Sequence, residues 1–178
     1  HGANRLGANS LLDIVVFGKA CSENIHELNS PNEKIEDCDI SKLEEDIIRN
    51  KNYLIKDGDI KVSELRLEMQ KTMQKYAGVF RNDKLLEEGV KKLSEIYKLF
   101  DRVSIDDKSN VFNTEYIEML ELKNLLDNSL ITMHSANYRK ESRGAHSHQD
   151  YPERDDKNWL SHTICLLYTS PSPRDRYI

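Results

Sequence analysis

Proline is absent from the middle of this sequence, because none occurs between Pro31 and Pro152. Proline removes a backbone donor and breaks helix interiors, so its absence leaves this stretch free to form long helices. Cysteine is also scarce: Cys21, Cys38 and Cys165 are far apart in the sequence and odd in number. They provide neither a disulfide framework nor a cysteine-based zinc site, and they favour a reducing compartment.

Positive charge is not in excess, since 31 acidic side chains outnumber 26 basic ones and the formal net charge is −5. This balance argues against a nucleic-acid-binding protein, which needs a basic face. Long apolar runs are missing as well, and no stretch reaches the roughly eighteen apolar residues of a typical transmembrane helix. With 178 residues, the chain can form one ordinary domain with a sizeable core.

Apolar residues recur at spacings of three and four through the central sequence, which predicts amphipathic helices. We predict helices over Leu11–Leu28, after Ser41, over Val62–Tyr76, over Leu86–Phe100 and from Asn113 onward. The apolar positions of the last helix are Ile117, Leu120, Leu126, Leu130 and Met133. No stretch before residue 164 alternates polar and apolar residues as a strand would. The predicted fold is mainly α, an antiparallel helical bundle followed by an irregular C-terminal segment.

The stretch from Gly2 to Asp13 is the most informative part of the sequence. A loop with two glycines leads to Ser10, and Ser10 with Asp13 matches the capping box of a helix start. The residues that follow are apolar almost all round, which predicts a buried N-terminal helix. Free backbone N–H groups at such a helix start attract an anion or an electron-rich ring. Because Arg5 adds a permanent positive charge, we predict a ligand site here.

A second concentration of polar residues follows the bundle, over residues 139–163. His146, His148 and Asp150 alternate within it, and alternate side chains of an extended segment point the same way, so they could bind a metal ion. Beyond the two histidines, no further strong metal ligand lies nearby in the sequence, so we expect no metal here. We expect instead a polar loop that is ordered by charge-assisted hydrogen bonds or docked on a partner.

Taken together, the two ends of the sequence resemble a known family. HGANRLGANSLLDIVVFG at the start and SRGAHSHQDYPERDDKNWLSHT near the end are similar to the C-terminal part of the succinate dehydrogenase and fumarate reductase flavoproteins. The first motif alone also fits the related L-aspartate oxidase, whereas the second favours the dehydrogenase and reductase pair. The resemblance covers His1 to Thr163, with both motifs in the expected order.

The resemblance implies roles for four residues of the first motif. The arginine of the family's ANRLG sequence binds a carboxylate of the dicarboxylate substrate, and here it is Arg5. The serine and leucine that follow contact the ring system of FAD, and here they are Ser10 and Leu11. Asn9 is expected to shape the turn and to reach the ligand.

The resemblance also implies that several parts of the site lie upstream of residue 1. These are the Gly-rich nucleotide-binding fingerprint, the histidine that carries covalent FAD and the catalytic arginine. The sequence contains no G-x-G-x-x-G, and none of its six histidines is assigned as the flavin attachment point. We therefore expect no catalytic residue within this chain, and we expect that the chain alone does not oxidise succinate.

Four segments are predicted along the chain. Residues 1–30 are the end of an FAD-binding domain, residues 31–138 the helical bundle, and residues 139–163 a polar segment. Residues 164–178 resemble translated cloning sequence, so we predict a non-native, disordered tail.

The partners implied are a succinate or fumarate substrate, an iron–sulfur subunit that accepts electrons, and membrane anchor subunits. The expected location is the cytoplasmic side of the bacterial inner membrane, or the mitochondrial matrix side. We predict a succinate dehydrogenase, with fumarate reductase and L-aspartate oxidase as alternatives. A helical interaction module without chemistry is the remaining alternative.

Overall fold

A computed structural model describes residues 9–34, 37 and 39–165 of the chain. The contacts divide it into two compact units, with the boundary between Asp46 and Ile47. The elements are α1 Asn9–Leu28, α2 Ile40–Ile55, β1 Ile60–Lys61, α3 Val62–Tyr76, β2 Phe80–Arg81, α4 Asp83–Leu99, a 3₁₀ turn Phe100–Arg102, β3 Val103–Ser104, α5 Thr114–Tyr138, β4 Ser147–His148 and α6 Asp156–Trp159. The fold is mainly α, as predicted. The predicted boundaries after residues 30 and 138 stay predictions, and most of the predicted tail lies outside the described residues.

The first unit contains α1, whose position agrees with the predicted helix. The prediction that this helix is buried must be corrected, because none of its residues is buried and Leu11 and Phe17 are 69% and 66% exposed. A helix that is apolar on most of its sides needs several packing partners to become buried. The described residues of the first unit supply none, and not one of them is itself buried.

The core of the second unit lies where α3, α4 and α5 pack against one another. The largest side chains that are completely buried there include Leu86, Leu93, Ile96, Met119, Leu122, Leu126 and Met133. The apolar residues that recur at spacings of three and four in α3 are Val62, Leu65, Met69, Met73 and Tyr76, and those in and just after α4 are Leu86, Val90, Leu93, Tyr97 and Phe100. All of them are buried or pack against this core, as expected for the predicted amphipathic helices. Asn82 caps α4 by accepting a 2.9 Å hydrogen bond from the backbone N–H of Leu85. Asn113 caps α5 in the same way, by accepting a 2.8 Å hydrogen bond from the N–H of Tyr116, at the position where the sequence predicted the helix to begin.

The first half of α5 presents a different face to the core from the predicted one. Ile117 is 54% exposed, whereas Met119 and Leu122 are completely buried. Several sides of this helix carry apolar residues, including Leu120 and Leu125, so spacing alone does not single out one stripe. Contacts with α3 and α4 decide which side is buried.

Gly89 lies where α4 packs closely against α3 and α5. A Cβ atom added at this position would lie 2.6 Å from the Cβ of Tyr76 on α3 and 2.8 Å from the Sδ of Met133 on α5. Both distances are below van der Waals contact, so only glycine lets the three helices pack this closely.

Two short parallel strand pairs connect segments that lie between the helices. β1 pairs with β3, with Ile60 opposite Val103. β2 pairs with β4, with Arg81 opposite His148, which attaches the polar segment to the start of α4. Strands of two residues are too short to show alternation in the sequence, and for this reason they were not predicted. In the described part of the chain, no helix combines the length and apolar character needed to cross a membrane.

Candidate functional site

The predicted ligand site at the N-terminus is described only in part. Arg5 lies outside the described residues, together with the glycine loop. Asn9, Ser10 and Leu11 form the first turn of α1, so the helix includes residues that were predicted to precede or cap it. Asn9 also lines a shallow depression of about 210 Å³ along α1. The assignment of all four residues to substrate and flavin stays a prediction.

Glu141 is the centre of the second candidate site, the polar segment of residues 139–163. Its side chain is completely buried, which is rare for a carboxylate unless it is paired. One carboxylate oxygen accepts hydrogen bonds from Arg139 Nη1 and Arg143 Nε, at 2.5 and 2.7 Å. The other accepts from Arg143 Nη2 at 3.0 Å and from the backbone N–H of Asp155 at 2.9 Å. The carboxylate therefore receives four donors.

These donors keep Glu141 ionised although it is buried. The hydrogen bonds from Arg143 have the largest effect, and together with those from Asp155 and Arg139 they outweigh the opposing effect of burial. The pKa of Glu141 is about 2, against an ordinary value of 4.5. The carboxylate is therefore a fixed negative charge around which the segment folds.

Arg139 extends this network to the end of the polar segment. Its guanidinium donates to the carbonyl oxygens of Trp159 and Ser161, at 3.0 and 2.6 Å, and to Thr163 Oγ1 at 3.0 Å. It also lies over the Trp159 ring, 5.5 Å from its centroid. Residues 159–163 are thus held by one side chain at the end of α5. The segment is ordered by charge-assisted hydrogen bonds, which is one of the two predicted alternatives.

His146 uses both ring nitrogens within the protein. Its Nδ1 accepts a hydrogen bond from Arg81 Nη1 at 3.0 Å, and its Nε2 donates to the carbonyl oxygen of Arg139 at 3.2 Å. Burial lowers the pKa of His146, and the nearby positive charge of Arg81 lowers it further. The hydrogen bond to the Arg139 carbonyl raises this pKa, but by less than burial lowers it. A neutral ring with both nitrogens engaged has no lone pair left for a metal ion, so His146 is not a ligand.

His148 differs, because neither of its ring nitrogens has a hydrogen-bond partner although the residue is only 1% exposed. Its Nε2 lies 3.2 Å from Asp83 Oδ1, but without the geometry of a hydrogen bond. Asp150 is adjacent and accepts a 2.8 Å hydrogen bond from the backbone N–H of Asp83. The structure therefore brings His148 and Asp150 close together, and the third residue beside them is Asp83 and not His146.

Asp83 is the residue that the sequence did not reveal. It is the first residue of α4, 65 positions before His148, and nothing in the local pattern connects the two. Lys140 Nζ donates to its Oδ1 at 2.5 Å, and Tyr151 donates its hydroxyl to Oδ2 at 3.1 Å. Burial alone would raise the pKa of Asp83, but the bonds from Lys140 and Tyr151 hold it below its ordinary value.

The chain is similar in sequence and in fold to several known proteins. A family model described as "Fumarate reductase flavoprotein C-term" matches residues 66–175, a range that extends into the predicted tail. The chain is 47% identical over 164 residues to the succinate dehydrogenase flavoprotein subunit of Rickettsia bellii, covering 92% of this chain and 28% of that protein. It is 35% identical over 178 residues to the fumarate reductase flavoprotein subunit of Haemophilus influenzae, covering 99% of this chain and 30% of that one. A chain of E. coli quinol fumarate reductase superposes with a TM-score of 0.80 at 37% identity, covering 90% of this chain and 28% of that chain.

Proposed function

The chain belongs to the fumarate reductase flavoprotein C-terminal family, and on that basis we propose that it is the C-terminal part of a flavoprotein subunit that oxidises succinate to fumarate with FAD. The observation that carries this proposal is the 47% identity to the Rickettsia bellii succinate dehydrogenase flavoprotein, over 92% of the chain. The chain spans 28% of the length of that relative. The proposed activity is therefore that of a larger protein, of which this chain supplies one part.

Arg5 is proposed to hold one carboxylate of the substrate. A guanidinium presents two parallel N–H groups that match the two oxygens of a carboxylate, and it keeps its charge at every physiological pH. A dicarboxylate fixed at one end presents its central carbons to an oxidant in a constant orientation, which is the positioning that catalysis requires.

Ser10, Leu11 and Asn9 are proposed to contact FAD at the start of α1. Bound FAD supplies the two-electron acceptor for succinate. The partial positive charge at a helix N-terminus favours the electron-rich reduced ring, so this placement would favour the transfer. The exposure of Leu11 supports the proposal, since 69% of its surface is free to contact a ligand or a neighbouring domain.

The complete subunit is proposed to pass its electrons to an iron–sulfur subunit attached to membrane anchor subunits. It would then be peripheral on the cytoplasmic side of a bacterial inner membrane, or on the matrix side of the mitochondrial one. The isolated chain is proposed to be inactive, because the nucleotide-binding and proton-transferring parts implied by the resemblance lie outside it.

A chimera tests the proposed function. The part of the Rickettsia bellii protein that this chain matches, 28% of its length, is replaced by this chain, and succinate-dependent reduction of a dye is measured. Within the chimera, Arg5→Lys should lower kcat/KM for succinate by roughly 10–100-fold, because a bidentate charge-assisted pair is replaced by a single contact. Arg154→Lys is the matched control, since Arg154 is exposed and its guanidinium pairs with the carboxylate of Asp156. Equal activity of the Arg5 variant and the control would contradict the assignment of Arg5.

Fumarate reduction is the second candidate, favoured by the Haemophilus influenzae relative, which matches 99% of the chain. The same chimera is assayed with a reduced dye and fumarate. Faster fumarate reduction than succinate oxidation under matched driving force would assign the chain to the reductase direction.

A further inference from the structure

We propose that Asp83, His148 and Asp150 form a binding site for a Zn²⁺-like divalent cation at the junction of α4 and the polar segment. This site is independent of the proposed flavoprotein activity. One ligand atom from each of the three residues lies within 4.8 Å of the other two. Two observations, the buried state of His148 and the distances in the cluster, carry the proposal.

His148 provides the first observation. An imidazole that is 1% exposed normally has a hydrogen-bond partner, because a buried polar group without one has lost its hydration and gained no bond in return. Neither nitrogen of His148 has such a partner among the described residues. A metal ion bound at Nε2 would satisfy the buried lone pair that the protein itself leaves unused.

The distances provide the second observation. Tetrahedral zinc binds nitrogen and oxygen ligands at about 2.0–2.1 Å, which puts neighbouring ligand atoms about 3.3 Å apart. His148 Nε2 and Asp83 Oδ1 are already separated by 3.2 Å. Asp150 is within 4.8 Å, so it needs to approach by at most about 1.5 Å. Because it is exposed, its side chain can make that movement, and solvent water can supply a fourth ligand.

The donor set indicates the class of cation. One imidazole nitrogen with two carboxylates suits Zn²⁺ and similar first-row divalent ions, whereas Mg²⁺ and Ca²⁺ prefer oxygen ligands throughout. Tyr151 donates to the other oxygen of Asp83, which orients this carboxylate for binding.

Lys140 competes with the cation for the site. Its ammonium group donates to Asp83 Oδ1, the same oxygen that would bind the metal ion. Lys140 is one-third exposed, so it can swing out when a cation binds. Occupation by metal therefore replaces the Lys140–Asp83 ion pair, and removing the ammonium should strengthen metal binding.

Zn²⁺ titration of the full 178-residue chain without an affinity tag tests the proposal by calorimetry. Lys140→Gln should tighten binding by roughly tenfold, because a positive charge close to the ion is removed. Asp150→Asn should weaken binding by at least about tenfold. This variant keeps an oxygen for the N–H of Asp83, and Trp159 fluorescence verifies that the polar segment is still folded. His162→Asn is the matched control, because it removes an exposed histidine outside the cluster and should leave the affinity unchanged.

Three results would overturn the site. The first is the absence of Zn²⁺ binding in both the unaltered chain and the Lys140→Gln variant. The second is equal affinity of the Asp150→Asn variant and the His162→Asn control. The third is binding of Mg²⁺ as tight as that of Zn²⁺, because it would show that the imidazole takes no part.

Discussion

Replacement of Glu141 by glutamine tests the buried charge network most sharply. Glutamine has nearly the same shape, but it presents one oxygen where the carboxylate presents two. Its NH₂ group must then face N–H donors of Arg139, Arg143 or the Asp155 backbone, all of which donate to the oxygens of Glu141 in the unaltered chain. Both arginines would also lose a buried counter-charge. The substitution should therefore destabilise the polar segment.

The magnitude follows from how deeply each partner is buried. Breaking a buried ion pair by neutralising one partner costs about 3–5 kcal/mol. The side chains of Arg139 and Arg143 are 14% and 26% exposed, so water can partly rehydrate them, and the lower end of the range applies. A loss of about 3 kcal/mol should lower the urea midpoint by roughly 1–3 M.

The pH dependence has a defined sign. The pKa of Glu141 is about 2 in the folded state, whereas its ordinary value, which applies to the unfolded chain, is 4.5, so folding favours the charged form. The stabilisation is then complete above pH 4.5 and is lost as the pH falls through about 2. The difference in unfolding free energy between the unaltered chain and Glu141→Gln should be constant near neutral pH and shrink below pH 4.5.

Urea unfolding is followed by far-ultraviolet circular dichroism and by the fluorescence of Trp159, the only tryptophan. Asp156→Asn is the matched control, because Asp156 also pairs with Arg143 but is half exposed, so this substitution should destabilise the chain far less than Glu141→Gln. A loss below about 1 kcal/mol for Glu141→Gln, or equal losses for both variants, would refute the reasoning.

Two further substitutions have distinct expected outcomes. Gly89→Ala should destabilise the second unit by about 1–3 kcal/mol, because the added methyl group overpacks against Tyr76 and Met133. Gly18→Ala is the control, because its added methyl group meets no atom within 4 Å and should increase helicity. Thermal unfolding and circular dichroism measure both variants, and equal stability of the two would contradict the close packing at Gly89. Arg139→Lys should release residues 159–163, because a single ammonium cannot replace the contacts to Trp159, Ser161 and Thr163. The release should appear as increased quenching of Trp159 fluorescence by acrylamide at unchanged helicity. Unchanged quenching would mean that other contacts hold this stretch.

The sequence predicted the helices well, because the spacing of apolar residues is a local property. It was less informative where burial depends on neighbours. The apolar face of α5 was misread in its first half because apolar side chains surround that helix, and only contacts with α3 and α4 select Met119 over Ile117. The burial of α1 was predicted from its composition, but composition does not provide the partners that cover it.

The polar segment was recognised from its composition, but its internal geometry was not. Glu141 is a charged residue in a charged segment, and nothing local distinguishes it as the buried centre. Its role depends on Arg143, Arg139 and the N–H of Asp155 converging from three points of the chain. Asp83 was missed for a similar reason, since the pairing of β2 with β4 brings it to His148 across 65 residues.

Turnover by the chimera tests the central claim most directly. The flavoprotein of Rickettsia bellii, with this chain in place of its own C-terminal part, is compared with the same protein truncated before that part and with this chain alone supplied with FAD. We expect succinate oxidation by the chimera and none by either separate piece. A chimera that folds and retains FAD, yet neither oxidises succinate nor reduces fumarate, would contradict the account.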